Sequence, residues 1–120
     1  MGMQWLLCLI STKYGQVKDG KYKGCGMGLG SDDKGVSTDV NWTKLHFIKG
    51  TKMVAEVRIE TLKSYKILYQ TVKATTIVLT FADDEKCTVE LPALDANGKP
   101  FVNDRVGLVL NVLSSVSVEV

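Results

Sequence analysis

Residues 42–73 read WTKLHFIKGTKMVAEVRIETLKSYKILYQTVK and form the longest run of recognisable secondary-structure pattern in the chain. The clearest element begins after a Gly50-Thr51 turn, where four apolar residues alternate with other residues in the period of a half-buried strand: Met53, Ala55, Val57 and Ile59. The preceding residues, 43–49, also predict a strand, but both of its faces mix apolar and charged residues. That mixture indicates an edge strand or a binding surface.

The next segment, residues 61–72, fits two structures. A helix would place Leu62, Tyr65, Tyr69 and Val72 on one face and turn the lysines to solvent. A strand would instead line Tyr65, Ile67 and Tyr69 along one face, as the β-propensity of tyrosine favours. The sequence leaves both alternatives open.

The rest of the chain is read mainly as short strands joined by polar turns. We predict a hairpin between 75–81 and 86–91, and a second one in which Asp19-Gly20 joins 13–17 to 21–26. Residues 36–41 predict another short strand. Residues 4–10 are apolar on both faces, which suits a buried central strand, with the start of a helix as the alternative.

The C-terminal part predicts one helix and one strand. Asn103 is placed to cap a helix whose core-facing residues would be Val106, Val109, Leu110 and Leu113. Residues 115–120, SVSVEV, alternate as a strand that needs either an internal partner or another subunit.

The 120 residues therefore predict a single β-rich domain. Its fold class is mainly β, a small antiparallel barrel or sandwich with one or two short helices, and it would be OB-like if 61–72 were helical. Residues 101–120 would be additional to such a barrel and are interpreted as an assembly element.

Glycine alternates at Gly24, Gly26, Gly28 and Gly30, so an extended chain there would have one face without side chains. A backbone, an aromatic ring or a phosphate could approach that face closely. The spacing matches neither of the common phosphate-binding glycine motifs. We therefore interpret the segment as a flexible loop or bulged strand, with a ligand cradle as the alternative.

Charge is divided unevenly along the chain. Residues 1–75 contain twelve Lys or Arg and six Asp or Glu, whereas residues 76–120 contain three and seven. A basic half suggests an anionic partner, although lysines that keep strand faces soluble would give the same count.

Lysines and aromatic rings are interleaved through the basic half. This is the chemistry that holds single-stranded nucleic acid, because rings stack on bases while lysines follow the phosphates. Because nearly all the cations are lysines, sequence specificity should be low. The predicted nucleic-acid-binding residues are Lys13, Tyr14, Tyr22, Lys23, Trp42, Lys44, Phe47, Lys49, Lys52, Lys63, Tyr65, Lys66 and Tyr69.

Nothing in the sequence predicts an enzyme, a metal site or a cofactor. His46 is the only histidine and has no motif around it, so we interpret it as a structural or surface histidine rather than a catalytic base. The paired acids at 32–33 and the acidic run at 83–85 lack calcium-loop spacing and are read as turns. Of the three cysteines, Cys8 and Cys87 are expected to be buried and Cys25 exposed.

An odd number of widely spaced cysteines indicates a reducing compartment, and the N-terminal apolar run is too short for a signal sequence or a membrane span. We expect a soluble, cytoplasmic protein without a membrane partner. The first functional hypothesis is non-catalytic binding of single-stranded nucleic acid. The alternatives are a homo-oligomeric structural or assembly protein of a virus or mobile element, and a small-ligand-binding β-barrel.

Overall fold

The computed structural model describes residues 13–31, 42–101, 104–116 and 118–119. It confirms the mainly β fold class, with seven antiparallel strands and one short helix. The strands are β1 (Gly15–Gly20), β2 (Gly26–Gly30), β3 (Lys44–Lys49), β4 (Lys52–Arg58), β5 (Ser64–Gln70), β6 (Ala74–Thr80), β7 (Lys86–Pro92) and β8 (Val118–Glu119). A 3-10 turn covers Ile59–Thr61, and the helix, α1, covers Arg105–Val116.

All eight strands belong to one sheet in the order β4-β3-β2-β1-β7-β6-β5-β8. Neighbours are antiparallel except β8, which lies parallel to β5. The sheet is not closed, because β4 and β5, the edges of its antiparallel part, form no ladder with each other in the described residues. Residues 59–63 connect these two strands and bury Ile59 and Leu62 in the core.

The core lies on one face of this sheet. Its fully buried side chains include Met27, Leu45, Phe47, Ile77 and Val89, and they come from strands across the sheet. Helix α1 completes it: Val106, Val109 and Leu113 are buried as predicted, whereas Leu110 is half-buried. The described part of residues 101–120 therefore packs on the same core as the strands.

One predicted hairpin and one predicted turn are confirmed in outline, and one open alternative is decided. β3 and β4 pair around Gly50, whose φ of 66° matches the expected turn, and β6 pairs with β7 from Ala74↔Pro92 to Thr80↔Lys86. Residues 64–70 form a strand, so the helical alternative for 61–72, on which the OB-like arrangement depended, is not formed.

The predicted Asp19-Gly20 turn is wrong in position. β1 continues to Gly20, because it pairs with β7 from Gln16↔Glu90 to Gly20↔Cys87. The chain reverses over Lys21–Gly24 instead, where Tyr22 and Gly24 have φ values of 65° and 90°. Pairing with a strand distant in sequence therefore outweighed the local turn preference.

The glycine segment is also different from its interpretation as a flexible loop or bulged strand. Gly26–Gly30 is a regular strand, buried throughout, between β1 and β3. Consequently β3 is an interior strand, so the edge-strand alternative for 43–49 is wrong, and Leu45–Ile48 are all buried.

At the C-terminus, the cap and the last strand differ from their predictions. Asp104 caps α1, because its Oδ1 accepts the backbone N–H of Gly107 at 2.9 Å. Asn103 lies outside the described residues. The helix extends to Val116, so β8 is limited to Val118–Glu119, and its partner is β5 of the same chain. The strands predicted at 4–10 and 36–41, Cys8 and the acids at 32–33 also lie outside the described residues.

Candidate nucleic-acid interface

Two neighbouring turns bring basic and aromatic residues together at one end of the sheet. The ladder between β2 and β3 begins at Gly26↔Ile48, so the turn before β2 and the turn after β3 lie side by side. The paired-turn surface, as we call it, consists of Lys21, Tyr22, Lys23, Lys49 and Lys52.

Tyr22 is the aromatic residue at the centre of this surface. Its ring stacks on Phe47 with centroids 4.5 Å apart and an interplanar angle of 20°, and meets Phe81 edge-on at 5.7 Å. The ring is half-buried, and its backbone has a positive φ that is rare for a bulky residue. Such a conformation persists only where the surroundings hold it, and here the two phenylalanine rings do so.

The lysines of the paired-turn surface carry positive charge that is only partly neutralised. Lys49 lies two residues beyond Phe47, on the same strand face, and directly opposite Lys52 in the β3–β4 ladder. Like charges opposite each other destabilise a sheet, and an anion between them would relieve the repulsion. Among the described residues, Lys23, Lys49 and Lys52 form no salt bridge.

Lys21 differs from these three because it is held in place. Its Nζ lies 2.9 Å from Asp83 Oδ2, and this hydrogen bond raises the pKa of Lys21 and lowers that of Asp83. The ammonium group also lies 5.5 Å from the Tyr22 ring centroid and 5.4 Å from that of Phe81. It is therefore a fixed charge beside the aromatic cluster.

Eight of the predicted residues lie away from the paired-turn surface, and four of these are Lys13, Tyr14, Trp42 and Lys44. The Lys13 side chain lies over the backbone of Gly26, and the Tyr14 ring faces the Arg105 guanidinium at 5.6 Å. Trp42 is half-buried against the core. Lys44 Nζ is 3.2 Å from Glu56 Oε1, so its charge is balanced within the sheet.

The last four predicted residues lie on or next to β5. Lys63 pairs with Asp84 in the β6–β7 turn, and Tyr65 is buried in the core. Lys66 and Tyr69 are exposed. Phe47 and Tyr65, both core residues, are thus unavailable for stacking on a base, and the structure divides the remaining predicted residues into separate groups.

The sequence interpretation missed a polar cluster on β3 and β4 in which the His46 ring is buried. His46 Nε2 is 3.2 Å from Glu56 Oε2, the residue that also pairs with Lys44. His46 is 8% exposed, and its Nδ1 has no hydrogen-bond partner among the residues that the structure describes. Burial lowers the pKa of His46, opposed by the nearby Glu56 carboxylate. The cross-strand pair His46↔Glu56 was readable only once the β3–β4 register was known.

The described cysteines are both buried. Cys25 is 3% exposed, so its predicted exposure is wrong: it lies where the chain re-enters the sheet at β2. Cys87 is buried as predicted, and burial raises the pKa of its thiol to about 12. Within the described ranges, no three His, Cys, Asp or Glu side chains are grouped to hold a metal ion.

No protein-family model, curated protein or solved structure shows significant similarity to this chain. The helical segments in the described ranges lack the length and apolarity that crossing a bilayer requires. Function must therefore be inferred from the chemistry of the surfaces.

Proposed function

We propose that this protein binds single-stranded nucleic acid without catalysing a reaction, and that the paired-turn surface makes the main contact. The observation that carries the proposal is the position of the half-buried Tyr22 ring, stacked on Phe47 beside the opposed pair Lys49 and Lys52. A ring supported from below offers its remaining accessible surface to a base. Lysines at its side would meet the phosphates that flank that base.

The expected free energies of base stacking and of lysine–phosphate contacts favour a modest, salt-sensitive interaction. Stacking of one base on an aromatic side chain contributes about 1–3 kcal/mol. Each lysine that neutralises a phosphate adds an electrostatic contribution that weakens as salt increases. The opposed lysines Lys49 and Lys52 make the free energy of binding more favourable still, because a bound phosphate would remove their mutual repulsion.

Sequence specificity should be low. Arginine is the usual residue for bidentate contacts to base edges, whereas a lysine ammonium acts as a point charge. The cations of the paired-turn surface are all lysines. They would follow the backbone of a nucleic acid rather than distinguish its bases.

The first test is intrinsic tyrosine and tryptophan fluorescence during titration with a mixed-sequence single-stranded oligonucleotide, at low and then moderate salt. We expect quenching at low salt that weakens as salt is added, because ring stacking and counterion release occur together. Binding that does not depend on salt, or no binding at all, would contradict the proposal.

A further inference from the structure

Strand β5 has an incompletely paired edge. On one side it pairs with β6 from Ser64 to Gln70. On the other side, the pairs within the described residues are Ser64 with Val118 and Tyr65 with Glu119 of β8, in parallel. Among the described residues, none pairs with 66–70 on that side, so a row of backbone donors and acceptors is available there.

Exposed apolar side chains are concentrated next to this edge. Leu68 is 45% exposed, Tyr69 61% and Val72 87%, and in the described part of the chain the one other large apolar side chain so exposed is Val54, on β4. Apolar residues gathered at a strand edge are typical of a surface that another chain covers.

A β-bulge determines which residues stand beside one another on β5. Ile67 pairs with Ile77 and Tyr69 with Thr76, so Leu68 is the extra residue. Without the bulge, Tyr69 would share the core face of Tyr65 and Ile67. With it, Tyr69 lies on the opposite face, beside Lys66.

The charged residues of β5 and of the segments just before and after it have a single sign. From residue 61 to residue 82 the sequence contains Lys63, Lys66 and Lys73 but no Asp or Glu. Lys63 is paired with Asp84, whereas Lys66 and Lys73 are exposed and form no salt bridge within the described residues. The edge therefore combines open backbone groups, apolar side chains and positive charge.

We propose that the β5 edge binds an extended segment of a partner protein in which apolar and acidic residues alternate, and that this segment adds to the sheet as a strand continuing from β8. Backbone groups of the partner would pair with residues 66–70. Because side chains alternate between the two faces of a strand, its carboxylates would lie on the outer face with Lys66, and its apolar residues would lie on the opposite face beside the half-buried Ile67. The sequence of β8 itself, Val118-Glu119, shows that an apolar and acidic extended segment already pairs on this edge.

A peptide suits this edge better than a nucleic acid does. Nucleic acid offers no backbone ladder to the open groups of residues 66–70, and phosphates gain nothing from Leu68 or Val72. The proposal is independent of the paired-turn surface, which lies on other strands.

The test uses a fluorescent probe peptide in which valine alternates with glutamate, with affinity measured by anisotropy. We expect Leu68→Asp to weaken binding by at least about tenfold, because it places a carboxylate on the face that the glutamates of the peptide would occupy. The matched control is Val54→Asp, since Val54 is 46% exposed and is the extra residue of the corresponding bulge on the other edge strand. The affinity of the Val54→Asp variant for the probe peptide should equal that of the unmodified protein.

Three results of this titration would overturn the proposal: no binding of the probe to the unmodified protein, equal losses of affinity in both variants, or equally tight binding of a peptide that alternates valine with lysine.

A second measurement covers the case in which Leu68→Asp does not fold. In the unmodified protein, the probe should slow amide hydrogen exchange within residues 66–70, and unchanged exchange there would refute strand addition. If an oligonucleotide displaces the probe and itself protects residues 66–70, the edge is a nucleic-acid surface and the peptide proposal is wrong.

Discussion

The His46 ring on β3 occupies the space where a side chain on Gly30 of β2 would begin. A β-carbon added to Gly30 would overlap the imidazole ring, including its Nε2 atom. The ring therefore lies directly on the backbone of β2, and from there Nε2 reaches Glu56. At Gly30, therefore, the space left by the missing side chain is filled by the imidazole ring of His46 from the same protein.

This relationship predicts different effects for two similar substitutions in β2. Gly30→Ala should lower the free energy of unfolding by about 1–3 kcal/mol, because the added methyl displaces a buried ring from its hydrogen bond. Gly26→Ala should lower the free energy of unfolding much less, since its methyl would meet the flexible side chain of Lys13. Urea denaturation of both variants tests this, and equal losses would show that the ring is not confined by Gly30.

His46 also predicts a pH dependence of stability. Its pKa in the folded protein is below the ordinary 6.5, so the unfolded chain binds more protons in the window just below that value. Stability should be complete above about pH 6.5 and should fall as the pH decreases from there toward the lowered pKa. Urea midpoints measured across this window should decrease, and the decrease should be smaller in His46→Gln. An equal pH dependence in both proteins would argue against burial of a neutral histidine.

Two aromatic residues with opposite environments should respond differently to truncation. Phe47 is fully buried and supports the Tyr22 ring, so Phe47→Ala should cost about 3–5 kcal/mol of folding free energy. Tyr69→Ala should change stability by less than about 0.5 kcal/mol, because its ring is 61% exposed. Similar losses in thermal or urea unfolding would contradict this assignment of core and surface rings.

The cap of α1 offers a further check. Asp104→Ala should lower stability by about 1 kcal/mol, because the N–H of Gly107 loses its acceptor. Asp104→Asn retains an acceptor oxygen and should be close to neutral. Loss of stability in both variants would mean that the negative charge, rather than the cap, stabilises the helix.

Local patterns in the sequence predicted most strands but not their neighbours. The alternation at 53–59 and the turns at Gly50 and 82–85 depend on residues close in the chain, and strands formed on both sides of each turn. The alternation itself holds only in part, because β4 ends at Arg58 and the extra residue Val54 places Met53 on the face opposite to Ala55 and Val57. Whether β3 was an interior or an edge strand depended on β2, and the interpretation of the glycines as a flexible loop or bulged strand did not place β2 next to β3. Buried glycines give no hydrophobic pattern, so their strand was not recognised.

The candidate site was predictable only in part, for a similar reason. Lysines next to rings were visible in the sequence, but strand alternation could not show that Phe47 is buried while Tyr22 stacks above it. The bulge at Leu68, which moves Tyr69 to the outer face, left no local signal that was recognised. The interaction of Arg105 with Tyr14 joins residues 91 positions apart and was likewise missed.

The most direct test of the nucleic-acid proposal compares two charge reversals that change net charge equally. Lys52→Glu places a carboxylate opposite Lys49 on the paired-turn surface, whereas Lys99→Glu alters an exposed residue in the loop after β7. We predict that Lys52→Glu markedly weakens binding of a mixed-sequence single-stranded oligonucleotide and reduces the slope of log affinity against log salt by about 0.7 for each phosphate that the protein no longer neutralises. Lys99→Glu should leave both nearly unchanged. Equal effects of the two substitutions would mean that net charge alone attracts the oligonucleotide, and the paired-turn surface would not be its binding site.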